Sequence, residues 1–277
     1  MPVSAGTEVR MIGSALRPHR VDLHVHTALS PCGDLEMGAP QIVERAREVG
    51  LDLMAVTDHN SCENYPALAG VPGSPPPVLI PGIEVQSEED IHLVCLFPAY
   101  EEALAFKDWL WLRMPGRLND PDIFGDQPVI DSENRILRFE EVLLVQGISR
   151  SVDEIALEAR ERGGLVILAH VDRPAFSYEA VLGPVPPDFP ADALEISAAA
   201  DPAKRLLYRE RYPDRVLIRS SDSHSLASIR PDRASSMLLA KPTFEELRKA
   251  LRNEEGRCVL SPESSVSLPG TAGPEAS

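Results

Sequence analysis

The chain has 277 residues, 43% of them hydrophobic, enough for one large α/β domain with a full core or two small ones. Its 43 acidic and 27 basic residues give a formal charge of −16, which opposes non-specific binding along nucleic acid. No apolar run reaches the roughly 20 residues that span a bilayer, and Cys32, Cys62, Cys95 and Cys258 form no C-x-x-C pair. A spanning helix, a zinc ribbon and a disulfide scaffold are thereby excluded. With no apolar stretch of signal length in residues 1–20, the expected location is cytoplasmic.

Taken in order, residues 1–20 read as a flexible lead-in. Val21 to Thr27 alternates like a β-strand, whose period of two sends Asp22, His24 and His26 to one face. A turn-rich loop, 30–38, follows. Pro40 to Val49 reads as a helix, with proline at its start, Gly50 just past its end, and Ile42, Val43, Ala46 and Val49 on one face. Strand, helix, strand at this spacing is a βαβ unit and predicts parallel pairing. A second helix is expected over 101–112. Residues 113–138 are rich in turn chemistry and form a polar insertion, a solvated excursion or a lid. Ser151-x-x-Glu154 is a capping box opening a helix that Gly163-Gly164 ends. A proline-rich loop covers 174–190, Ala193 to Ile196 gives a short strand, and further helices span 202–212 and 244–252. From Ser261 the tail lacks the apolar residues needed to bury a core and is expected to be disordered.

The histidines respect this pattern. Leu53 to Thr57 runs into Asp58-His59, Val78 to Ile83 into Glu84, Leu165 to Ala169 into His170, and Val216 to Ser221 into Asp222-Ser-His224. Ile91 to Phe97 carries His92. Ligand-type residues therefore fall on or at the ends of successive apolar strands, where an α/β barrel places its chemistry. Imidazoles with carboxylates suit Zn²⁺, Mn²⁺ or Fe²⁺.

His24-x-His26-Thr27, Thr57-Asp58-His59, Pro81-Gly-Ile-Glu84, Ala169-His170 and Ser221-Asp-Ser-His224 together resemble the PHP domain, the polymerase and histidinol phosphatase metal-dependent phosphoesterases, of the small stand-alone type. The motifs span residues 21–224. The resemblance implies a distorted (β/α)7 TIM-like barrel over 21–260 with two or three divalent metal ions at its C-terminal mouth. It implies one ion on His24, His26, Glu84 and Asp222, and a second on the bridging Glu84 with His92 and His170. A third would sit on His59 and His224, with Asp34 or Cys32 completing it. Asp58 is expected to orient a ligand, act as an acid/base or cap the loop, and Asp22 to accept a supporting hydrogen bond. Arg173 is a candidate phosphate clamp, because a guanidinium fork matches phosphate oxygens.

The implied activity is phosphate-ester hydrolysis by a metal-activated hydroxide. Nucleotides, small phosphorylated metabolites or the 5′ ends of short single strands, as for a 5′–3′ exonuclease, are the expected substrates. No membrane partner and no stable duplex binding are expected. Two other readings compete. An amidohydrolase would need a metal-bridging lysine, and none of Lys107, Lys204, Lys241 and Lys249 ends an apolar strand. A non-catalytic metal-binding or regulatory module would be expected to have lost ligands, and this set is nearly complete.

Overall fold

Strands and helices alternate in the computed structural model, which describes residues 15–73 and 77–260. The expectations for residues 1–14 and for the tail from 261 lie outside the described residues. The first half runs β1 (Arg17–Asp22), α1 (Ala39–Glu48), β2 (Leu53–Val56), α2 (Tyr65–Ala69), β3 (Val78–Gln86), β4 (His92–Leu96) and α3 (Tyr100–Trp111). Then come α4 (Pro121–Phe124), β5 (Pro128–Ile130), β6 (Ile136–Phe139), α5 (Val152–Glu161), β7 (Leu165–Leu168), α6 (Tyr178–Leu182) and β8 (Ala193–Ser197). The chain continues through α7 (Pro202–Arg211), β9 (Leu217–Ser220), β10 (Ser235–Leu239), α8 (Phe244–Leu251) and β11 (Cys258–Leu260).

Nine strands form one nearly closed, barrel-shaped sheet in the order β11-β10-β1-β2-β3-β4-β7-β8-β9. The barrel closes beyond the ends of β1 and β9, where Val25 and Ser223 form a parallel bridge and His26 N–H donates to the Ser223 carbonyl at 3.0 Å. The β1–β2–β3 and β7–β8–β9 pairings are parallel, as the βαβ spacing predicts. Two features depart from an all-parallel sheet. Only Ser87 to Ile91 separate β3 from β4, too few residues for a crossover, so the two strands form a hairpin. At the other side β10 runs antiparallel to β1 and carries β11. The first strand also starts at Arg17, earlier than the alternation suggests, and ends at Asp22.

Burial follows the periodicity. Ala39, Ile42, Val43 and Ala46 form the inward stripe of α1. The capping box of α5 is present, with Ser151 and Glu154 exchanging backbone and side-chain hydrogen bonds. Residues 113–138 are docked against the barrel by specific contacts. Asn134 Oδ1 accepts from Ala39 N–H at 2.8 Å, and Arg138 pairs with Glu63 at 2.7 Å. The Asn64 side chain accepts from Ile130 N–H and donates to the Pro128 carbonyl. Gly125, at φ +97°, lies against Pro31, whose carbonyl would be 2.7 Å from any Cβ there. The insertion thus braces loop 30–38 and the segment after His59.

Candidate metal centre

The strands deliver six of the seven histidines to one rim. His24 and His26 follow β1, His59 follows β2, His170 follows β7, and His224 follows β9. His92 is the first residue of β4, and because that strand runs antiparallel, its start lies at the same rim as the ends of its neighbours. His19 stays apart, buried on β1 with Arg17 Nε 3.3 Å from its Nε2.

Glu84, fully buried in β3, is the centre of the cluster. Its Oε1 lies 2.9 Å from His92 Nδ1, 3.2 Å from His24 Nε2 and 3.4 Å from His170 Nε2. Its Oε2 lies 3.0 Å from His59 Nδ1 and 3.3 Å from His26 Nε2. Asp222 Oδ1 approaches His24 and His26 Nε2 at 3.4 and 3.3 Å, and His224 Nδ1 at 3.6 Å. Three sets of ligand atoms each lie within 4.8 Å of one another: His24–His26–Glu84, His59–Glu84–His92 and His26–His59–His224.

These contacts fit divalent ions better than hydrogen bonds. Glu84 Oε2 makes no hydrogen bond despite its two imidazole neighbours, and His24 Nε2 faces His26 Nε2 at 3.2 Å. A buried polar atom without a partner costs about 1–3 kcal/mol, and lone pairs aimed at a common point remove that cost only when a cation occupies it. The acids and imidazoles of the cluster also shift one another's acidity. Burial opposes protonation of His24, but Glu84, Asp222 and Glu195 outweigh it and hold its pKa well above the usual value. His26 is likewise raised to about 9, against its burial, by Asp222 and Glu84. Burial depresses His59 well below the usual value, and burial with the charge of His26 brings His224 to about 4. Glu84, despite its burial, is held well below the carboxylate range by His24, His92 and His59.

Four of the eight non-glycine residues with positive φ among the described residues lie at this rim. Asn60, His170, Phe176 and Asp222 all have positive φ, between 31° and 56°. Left-handed conformations cost non-glycine residues free energy and tend to cluster at functional sites.

The other expected site residues divide. Asp58 points away from the cluster: its oxygens accept from Thr27 N–H (2.7 Å), Thr27 Oγ1 (2.8 Å) and Ser30 Oγ (2.6 Å). Ser30 Oγ in turn meets His26 Nδ1 at 3.0 Å, so Asp58 reaches a candidate ligand through one hydroxyl. Asp22 accepts from Ser221 N–H at 2.9 Å and ties the end of β1 to that of β9; burial raises its pKa to about 6. Arg173 Nη2 sits 2.5 Å from Asp222 Oδ2 at the open edge. Asp34 is exposed, and its backbone N–H donates to the His224 carbonyl. Neither Asp34 nor Cys32 joins the three sets of converging ligand atoms among the described residues. Cys32 is exposed at its surface, but the desolvation it meets among its neighbours, with the charges of Glu84, Asp222 and Asp58, pushes its thiol up to about 12.

Two residues of the rim escaped the sequence reading. Glu195, buried in β8, places its oxygens 3.2 and 3.3 Å from His24 Nδ1 and accepts from His170 N–H at 3.2 Å. Its signal was a lone carboxylate within an apolar strand. Phe176 stacks on His92 with centroids 4.8 Å apart and planes at 26°, and the residue is 45% exposed.

No family model matches the sequence, and no curated protein matches it. Solved structures do. Endonuclease Q of Pyrococcus furiosus, a lesion-specific endonuclease, aligns over 88% of this chain and 58% of its own, at 22% identity and TM-score 0.64. The chain shares the fold of the aligned part of Endonuclease Q. A complex of Endonuclease Q with a 27-mer duplex bearing an abasic lesion at the active site aligns equally far, at 22% identity and TM-score 0.63. The chain thus spans less than two thirds of the length of Endonuclease Q. Its structural neighbours also include a two-domain Bacteroides vulgatus protein containing a predicted PHP-like metal-dependent phosphoesterase, at 14% identity over 88% of this chain and 65% of that one, TM-score 0.48. Among the described residues no helix is long and apolar enough to cross a membrane.

Proposed function

We propose that the chain is a metal-dependent phosphoesterase. The observation that carries this reading is Glu84 in β3, ringed by five histidine nitrogens at 2.9–3.4 Å with one oxygen making no hydrogen bond. Two or three divalent ions held there by His24, His26, His59, Glu84, His92, His170, Asp222 and His224 would activate water and neutralise charge on phosphoryl oxygens. Glu84 and Asp222 fix the positions of His24 and His26, and Glu195 orients His24 from behind. Asp58 holds the loop from Thr27 to Ser30 as a positioning residue. Arg173, with its guanidinium at the edge of the cluster, would turn from Asp222 to a substrate phosphate as that charge is shared with a metal.

The finer reading is a substrate with a terminal phosphate: a nucleotide, a small phosphorylated metabolite, or a 5′ end of a short single strand. The ring of the half-exposed Phe176 beside the cluster suits a flat base. The likeness to Endonuclease Q favours a second reading, cleavage of a lesion-bearing duplex, which the −16 charge opposes. One panel separates them: manganese- or zinc-loaded protein assayed on nucleoside monophosphates, sugar phosphates, 5′-phosphorylated single strands and an abasic duplex. Turnover of the first three, with Arg173→Gln raising KM or lowering kcat while metal content is unchanged, supports the terminal-phosphate reading. Cleavage confined to the duplex overturns it, and metal-loaded protein inert on every substrate overturns the enzyme reading.

A further inference from the structure

A second concavity of about 940 Å³ lies at the seam of the barrel, between the start of β1, α7, β9 and the antiparallel β10–β11 pair. It is within the size range of small-molecule sites, roughly 300–1,000 Å³. In a chain of charge −16, its lining includes five arginines, Arg20, Arg205, Arg209, Arg215 and Arg219, and one carboxylate, Asp52.

That carboxylate is engaged elsewhere, accepting from Arg20 N–H at 2.8 Å and facing His19 Nδ1 at 3.5 Å. Three of the guanidinium groups bond peptide carbonyls, which orient them without neutralising them. Arg20 reaches Val49 and Gly50, Arg215 reaches Pro186, Phe189 and Ala191, and Arg205 Nη1 reaches Ala200 at 2.7 Å. Arg205 Nε is buried and has no partner. Arg219, half-buried on β9, has no side-chain hydrogen bond or ion pair among the described residues, and the nearby charge of Arg205 repels it. Asp232, the acid whose charge reaches Arg219, is already held by Arg230 at 2.9 and 3.0 Å. Two like charges brought together in a half-buried groove are unfavourable unless an anion joins them.

We propose that this groove is a second, anion-binding site that takes a phosphorylated small molecule, its phosphate held between Arg205 and Arg219. The guanidinium fork matches phosphate oxygens with two parallel hydrogen bonds, and the concave shape favours a compact ligand over a long polyanion. The site uses none of the residues of the metal centre, so it stands whether or not that centre hydrolyses phosphate esters.

Calorimetric titration of the full-length, metal-loaded protein with inorganic phosphate tests this. Wild type and Arg173→Gln should both show a binding class that weakens at least tenfold in the Arg205→Gln/Arg219→Gln double variant. The double variant should keep its metal content and its melting temperature. If it fails to fold, Arg219→Gln alone replaces it, since that side chain has no partner to lose. Tungstate soaked into crystals should give an anomalous peak between the two guanidinium groups. Phosphate isotherms indistinguishable between wild type and the folded variant would overturn the proposal. So would competition at this class by a 27-mer duplex without any effect of phosphate, because the occupant would then be a polyanion.

Discussion

Two buried carboxylates at the rim, Asp58 and Glu84, have opposite surroundings. Asp58 receives three hydrogen bonds of 2.6–2.8 Å from Thr27 and Ser30, which account for both of its oxygens. Glu84 sees five imidazole nitrogens, yet its Oε2 receives no hydrogen bond. The first arrangement is complete as it stands and fixes a loop. The second leaves Oε2 without a donor, and a cation would satisfy it. Burial and charge are common to both residues; what separates scaffold from site is whether donors or lone pairs point inward.

The same chemical change, carboxylate to amide, sharpens the contrast. Glu84→Gln should abolish phosphate-ester turnover and cut bound metal, since this ligand would serve more than one ion; unchanged metal content and rate would assign Glu84 to the scaffold. Glu195→Gln should weaken metal binding about 10–100-fold, the usual effect of losing the group that orients a ligating histidine, while Phe176 and Arg173 stay in place. Equilibrium dialysis against zinc or manganese would read this directly.

Acidity offers a third handle. Without metal, His24 and His26 hold protons at neutral pH, His26 up to about 9, because carboxylates surround them. Raising the pH toward that value frees the imidazole lone pairs, so apparent metal affinity should rise with pH, roughly tenfold per unit for each proton released. Calorimetry in buffers of different ionisation enthalpy would count those protons; no release would contradict the assignment. Asp58→Asn should have the smallest effect. Its amide keeps one acceptor for Thr27 and Ser30, so a loss of about 1 kcal/mol and roughly 2–4 °C in melting temperature is expected, with metal content intact.

Much of the rim was legible because each candidate histidine or acid adjoins an apolar strand, and strand ends are fixed by local sequence. His24, His26, His59, Glu84, His92, His170, Asp222 and His224 come together for that reason. Asp34 was expected from the resemblance, which places a ligand in the loop after the first strand; its backbone N–H donates to the His224 carbonyl, and its carboxylate is not among the converging ligand atoms of the described residues. Glu195 was invisible because its partner is 171 residues away and only the barrel brings them together. The antiparallel β4 was hidden by apolar content, which marks a strand but not its direction. Residues 113–138 looked like free loop because β5 and β6 are three and four residues long, and the apolar side chains of β6 face outward. What docks them is a set of asparagine and arginine contacts that no periodicity reports.

Metal stoichiometry tests the central claim most directly. Elemental analysis of full-length protein, saturated with zinc or manganese and freed of loosely bound ions, should give two to three ions per chain for the wild type. Glu84→Gln, folded to the same extent by circular dichroism, should give at least one fewer. One ion or none in folded wild-type protein would contradict the account.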